Sequence, residues 1–213
     1  MPADLDLAHD LLRIGAVTLR PSDPFTWASG RLAPIYTDNR LTLSFPDVRQ
    51  RLAEGFVSLA RRAGGADAVS GTATAGIPHA TLLADRLRLP LTYVRSSAKG
   101  HGKGNRIEGR VEPGQRVLVV EDLVSTGGSV IEAVEALREA GATVQTVLAV
   151  FTYGLDAAAD AVSDAGFTLR TLTDFPSLLE AARASGDLDD DALAALEEWR
   201  RDPEAWSRAR GGA

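Results

Sequence analysis

Val117-Leu118-Val119-Val120-Glu121-Asp122-Leu123-Val124-Ser125-Thr126-Gly127-Gly128-Ser129 sets an apolar run, two adjacent carboxylates and a hydroxyl-rich glycine turn end to end. Branched apolar residues at 117–120 suit a strand buried on both faces of a parallel sheet, with Glu121 and Asp122 at its carboxyl end. Beyond Gly128, the positions Val130, Ile131, Val134 and Leu137 follow the spacing of an amphipathic helix that Gly141 can stop. Strand, tight turn and helix in that order present the N–H groups of residues 125–129 at a helix N-terminus. Unpaired donors and the helix dipole favour an anion there, and a phosphate monoester fits the turn. The two carboxylates would repel that phosphate, so their natural partners are sugar hydroxyls or a developing cation. A ribose 5-phosphate meets both requirements. The alternative is an ordinary strand-to-helix turn with solvated acids and glycines that only permit the bend. A nucleotide P-loop fits less well, because Gly71-Thr72-Ala73-Thr74-Ala75-Gly76 continues with Ile77-Pro78 where that motif needs Lys and then Ser or Thr.

Outward from this stretch, strand-like segments at 67–70, 91–94, 117–120, 144–152 and 168–171 alternate with helical patterns at 48–62, 77–88 and 130–140. Such alternation predicts an α/β fold with a mainly parallel central sheet flanked by helices. Ligands of these sheets bind outside the carboxyl ends of the strands. The unusual sequences lie there: 71–76, 95–109, 121–129 and Tyr153-Gly154. We expect one domain in three parts: an N-terminal hood at 1–45, an α/β core at 46–175 and a C-terminal helical extension at 176–213. In the hood, Phe25-Thr26-Trp27-Ala28-Ser29-Gly30 and then Arg31 to Arg40 read as extended chain folding over the sheet edge. The end of the chain reads as helix followed by a frayed basic tail, anchored by Trp199 and Trp206.

Composition narrows the classes. With 213 residues, 45% of them hydrophobic, the chain can bury a full core. Zero cysteines exclude disulfides and cysteine-ligated zinc, and His9, His79 and His101 lack metal-ligand spacing. Any metal is then a hard ion such as magnesium, held partly by substrate oxygens. No apolar run is long enough to span a bilayer and no signal segment is evident, so a cytoplasmic protein is expected. A net charge of −6 argues against general nucleic-acid binding and for a basic cluster that serves a small local anion.

Such a cluster lies at 95–110, where Arg95, Lys99, His101, Lys103, Arg106 and Arg110 interleave with glycines. A loop of that length and composition reads as a lid that closes over a polyphosphate and neutralises a leaving group. Thr72, Ala73, Thr74, Ala75 and Gly76 precede a second helix that starts near Pro78, and offer backbone donors to a diphosphate.

These residues together resemble the orotate phosphoribosyltransferases, a branch of the type I phosphoribosyltransferase family, over nearly the whole chain. Residues 119–129 are similar to that fold's phosphoribosyl diphosphate motif. The branch is marked by 25–30 with 34–40, by Tyr93-Val94-Arg95 with Lys99, His101-Gly102 and Ile107-Glu108-Gly109, and by Phe151-Thr152-Tyr153-Gly154. The resemblance implies a magnesium-dependent glycosyltransferase of de novo pyrimidine biosynthesis, moving phosphoribosyl from 5-phosphoribosyl 1-diphosphate to orotate. It gives Leu123, Val124, Ser125, Thr126, Gly127, Gly128 and Ser129 to phosphoribosyl diphosphate binding. Glu121 and Asp122 bind ribose hydroxyls and, with Lys99, serve catalysis; Arg95, Lys99 and His101 contact diphosphate; Ser125, Ile35 and Tyr36 lie against orotate. It further implies a homodimer whose lids cross between subunits. Ala28, Ser96 and Tyr153 stand where another branch has two lysines and an arginine, so the residue that binds the orotate carboxylate is left open, with Lys103 or Arg40 as candidates to compensate. A regulator that senses phosphoribosyl diphosphate, or transfer to a purine or uracil, remains the alternative at this point.

Overall fold

The structure is a computed structural model that describes residues 5–27, 29–97, 106–186 and 188–213. The chain enters through α1 (Leu5–Arg13), which buries Leu7, Ala8 and Leu11. Four short strands follow: β1 (Val17–Leu19), β2 (Phe25–Thr26), β3 (Leu32–Ala33) and β4 (Ile35–Thr37). β1 pairs antiparallel with β4, and β2 with β3, so the extended hood segment folds as two small ribbons. A 3₁₀ turn over Asn39–Ser44 leads into α2 (Pro46–Arg62). Pro46 suits a helix start because its missing N–H would have had no partner there.

The core then alternates β5 (Ala68–Thr72), α3 (Gly76–Leu87), β6 (Leu91–Val94), β7 (Ile107–Glu108), β8 (Arg116–Val124), α4 (Gly128–Glu139), β9 (Thr143–Thr152), α5 (Asp156–Asp164) and β10 (Thr168–Asp174). The six strands form one sheet in the order β10-β9-β8-β5-β6-β7, parallel except for the β6-β7 pair. The chain finishes with α6 (Phe175–Ser185), α7 (Asp190–Arg201) and α8 (Pro203–Ala209). One apolar cluster joins Leu11 of α1, Phe56 of α2, Val119 and Val147 of the sheet, Leu178 of α6 and both Trp199 and Trp206. Burying a large side chain in such a cluster contributes roughly 1.5–3 kcal/mol.

Three features differ from the sequence-based expectation. β8 does not stop at Val120; it stays paired with β9 as far as Val124 opposite Thr152, so Glu121, Asp122, Leu123 and Val124 lie inside a strand. The Thr152 hydroxyl donates to the Val124 carbonyl at 2.9 Å and closes that end. On the other side β5 leaves the ladder at Gly71 opposite Val120. Glu121 is therefore the first residue of β8 without a strand on its β5 flank. Second, β7 and α5 were not anticipated, and α5 is too rich in alanine and aspartate to show an apolar stripe; α6 falls where a C-terminal helical extension was expected and starts at a cap, Asp174 accepting from Ser177 N. Third, the chain end is docked, not frayed. Ala213 N donates to Gly30 O at 3.1 Å, and Ser207 Oγ donates to Ala213 O at 2.9 Å while accepting from Leu32 N.

Candidate active site

α3 fills the gap that β5 leaves beside β8. Gly76, its first residue, sits so close that an added Cβ would lie 2.6 Å from Thr72 Oγ1, nearer still to Val120 O, and 3.3 Å from Glu121 Cα. Only glycine allows that approach. Neither α3 nor α4 has a side-chain cap at its N-terminus. The first N–H groups of each helix have no partner within the helix. Two uncapped helix starts thus flank Glu121 on the same sheet edge.

The loop into α3 holds Ala73 N on Val94 O at 2.8 Å, and its Ala73–Thr74 peptide is cis. The loop into α4 runs from Ser125 through Thr126 to Gly127, which takes φ +89°, and then Gly128 and Ser129 open the helix. The sequence placed an anion cradle on both loops, and the structure brings them together across Glu121.

Glu121 is 6% exposed, and Asp122 is half-buried beside it. Its Oε1 accepts from Asp122 N at 3.0 Å and its Oε2 from Ser129 Oγ at 3.4 Å. Burial, with the neighbouring Asp122 carboxyl, pushes its pKa up to about 8 although the Thr72 hydroxyl pulls the other way. Burial thus favours the protonated form of Glu121. The repulsion that two adjacent carboxylates would exert on a phosphate is thereby relieved, because one acid enters the fold neutral. Ser129 links that acid to the start of α4.

At the lid end, Arg95 is cross-paired with Arg106: Arg95 N donates to Arg106 O at 2.8 Å and Arg106 Nε to Arg95 O at 3.0 Å. Thr72, Ala73, Arg95, Arg106, Ser129 and Glu132 share a cleft of ≈ 340 Å³. A larger cavity of ≈ 720 Å³ lies between α6 and α7 and includes none of these residues. Lys99, His101, Lys103 and Ala28 fall outside the described residues.

The hood reaches the acids through Asn39, whose Nδ2 donates to Asp122 O at 2.7 Å. Ile35 is buried and its carbonyl accepts the Trp27 indole N–H at 3.3 Å, while Tyr36 is half-exposed. Tyr153 does not offer a free donor to a base. Its ring is 2% exposed, stacks on Trp27 at 6.0 Å and meets Trp199 edge-on at 5.3 Å, and its hydroxyl donates to Thr37 Oγ1 at 3.1 Å. Burial pushes that phenol up to about 12. Arg40 is engaged too: its Nε and Nη2 bind both carboxylate oxygens of Asp38. The sequence reading did not single out Asn39 or Glu132, and it named Arg106 only as one cation of the lid cluster. Asn39 and Arg106 lay inside the hood and lid sequences, but only the fold shows which of their neighbours they face.

Among the described residues no group of three or more His, Cys, Asp or Glu side chains could hold a metal ion, and no helix is long and apolar enough to cross a membrane. His79 is buried with both ring nitrogens unpartnered, and burial lowers its pKa to about 4.

A mainly parallel sheet with an acid pair between two uncapped helix starts is the arrangement expected of a type I phosphoribosyltransferase. Residues 50–170 match the Phosphoribosyl transferase domain family. The chain is 53% identical over 202 residues to the orotate phosphoribosyltransferase of Halalkalibacterium halodurans, covering 94% of this chain and 96% of that protein. Among solved structures, the orotate phosphoribosyltransferase from Aeropyrum pernix superposes with a TM-score of 0.73 at 34% identity, over 86% of this chain and 99% of that one. The Mycobacterium tuberculosis orotate phosphoribosyltransferase in complex with 5-phospho-alpha-D-ribosyl 1-diphosphate gives 0.64 at 27% identity, over 82% and 97%. The chain belongs to the orotate phosphoribosyltransferases of this domain family.

Proposed function

We propose that the chain transfers phosphoribosyl from 5-phosphoribosyl 1-diphosphate to N1 of orotate, giving orotidine 5′-monophosphate and diphosphate in pyrimidine biosynthesis. The observation that carries this reading is the buried Glu121 beside half-buried Asp122, set between the helix starts at Gly76 and Gly128. In the reaction the C1–oxygen bond to diphosphate breaks, diphosphate leaves with the electron pair, and the C1–N1 bond forms as the N1 proton is released. Residues 125–129 hold the 5-phosphate through backbone donors at the start of α4, and residues 72–76 receive the diphosphate at the start of α3. Asp122 takes ribose hydroxyls. Glu121 lies beside it, where the acid pair can stabilise the positive charge that grows at C1. Arg95, Lys99 and His101 neutralise the leaving group, and Ser125 with the Ile35-Tyr36 strand faces orotate.

The donor set suits magnesium only as a hard ion completed by substrate oxygens, since among the described residues no group of three or more His, Cys, Asp or Glu side chains could hold it alone. Bound there, the ion would offset charge on the departing diphosphate. A homodimer with lids crossing between subunits, and a cytoplasmic location, belong to the same proposal. Loss of orotate absorbance should require both phosphoribosyl diphosphate and magnesium. Absence of turnover with both present would overturn the reading. Mixing inactive Lys99→Ala and Asp122→Ala proteins should restore activity if the lid crosses the dimer; mixed dimers without activity would contradict that arrangement.

A further inference from the structure

Arg106 stands at the far root of the lid sequence, and its Nη2 donates to Glu132 Oε2 at 2.8 Å. Glu132 lies in α4, the helix whose start is the 5-phosphate turn, and its side chain is 58% exposed. Both residues line the cleft that also contains Thr72 and Ala73 of the diphosphate loop, together with Arg95. Resting on the proposed activity, we propose that Arg106 is a further diphosphate-binding residue and that Glu132 is its internal stand-in, releasing the guanidinium when substrate arrives.

Arg106 is anchored at its root, because its Nε is fixed on Arg95 O and its own carbonyl receives Arg95 N. Among the described residues the guanidinium end is held by the exposed Glu132 carboxylate, and exposed ion pairs contribute little. A diphosphate in the same cleft offers more negative charge than one carboxylate, on oxygens that suit the guanidinium fork equally well. The exchange therefore favours substrate and leaves Glu132 to water. Arg95 shows the same arrangement more loosely, with its Nη1 3.7 Å from Glu108 Oε1. The two arginines of the cleft are each held beside an acid in the free protein.

Calorimetric titration with phosphoribosyl diphosphate and with diphosphate alone tests this. Wild-type protein that binds neither would overturn the proposed activity itself. Where wild type binds, Arg106→Gln should weaken both ligands by about tenfold, as expected for losing a charge-assisted pair, with orotate KM within about twofold of wild type. Glu132→Gln should tighten diphosphate by about two- to threefold, the size of an exposed pair. That gain should vanish in the Arg106→Gln background. Unchanged diphosphate affinity in Arg106→Gln overturns the binding role, and a gain from Glu132→Gln that survives without Arg106 overturns the stand-in role. If Arg106→Gln does not fold, Arg106→Lys carries the test: it keeps the charge but not the fork, so affinity between wild type and a tenfold loss supports the proposal and wild-type affinity contradicts it.

Discussion

Glu121 shows how far one residue's environment can alter what its neighbours imply. As sequence, Glu121-Asp122 reads as two charges beside a phosphate; in the fold, burial makes one of them neutral. The folded protein holds the Glu121 proton up to about pH 8, whereas the unfolded chain releases it near 4.5. The folded state binds more protons inside that window, so stability falls as pH rises through it and levels off above. Urea unfolding of wild type should lose on the order of 2–4 kcal/mol across the window relative to Glu121→Gln, whose curve lacks this slope. Parallel pH profiles for the two proteins would contradict the assignment. Tyr153 makes a second case. Tyr153→Phe removes the hydroxyl bond to Thr37 and should lower unfolding free energy by about 1 kcal/mol. Residue types at the site were legible in the sequence, but burial was not, because it depends on where β5 leaves the ladder.

Elements were legible where the pattern was long. β6 was placed at its observed bounds and α2, α3 and α4 within about two residues, since apolar spacing marks a buried face. The end of β8 was not legible: Glu121 and Asp122 look like a strand stop, and only the ten-residue β9 keeps them paired. β7 is two residues long and has no period to read. The start of α3 is set by closeness, with Gly76 against Val120 and Thr72. Gly76→Ala should push α3 away from β8 and destabilise the protein by roughly 1–3 kcal/mol. Phosphoribosyl diphosphate affinity should fall with it, measured by titration. A variant with wild-type stability and affinity would show that the gap can open without consequence.

At the scale of the molecule, the hood is tied to the core from three directions. Asn39 holds Asp122, Thr37 holds Tyr153, and the C-terminal residues hold Gly30 and Leu32. Arg200 of α7 donates to the carbonyls of Tyr153 and Gly154 at 3.2 Å each, which links the C-terminal helices to the same edge. Deleting residues 203–213 removes buried Trp206 and should destabilise the fold by roughly 3 kcal/mol or more, read as a lower urea midpoint. Orotate KM should rise more than phosphoribosyl diphosphate KM, because the hood loses its support while the phosphate loops keep theirs. Equal changes in both would place the effect in the core instead. The hood was visible in the sequence as extended chain; its attachments were not, since they join residues more than eighty positions apart.

The base is the part of the account that the phosphate loops cannot decide. Competition among orotate, uracil and the purine bases for limiting phosphoribosyl diphosphate, with the nucleotide products identified by mass, tests it most directly. Orotidine 5′-monophosphate should be the dominant product even with the other bases in excess. A purine nucleotide or uridine 5′-monophosphate as the main product would contradict the account.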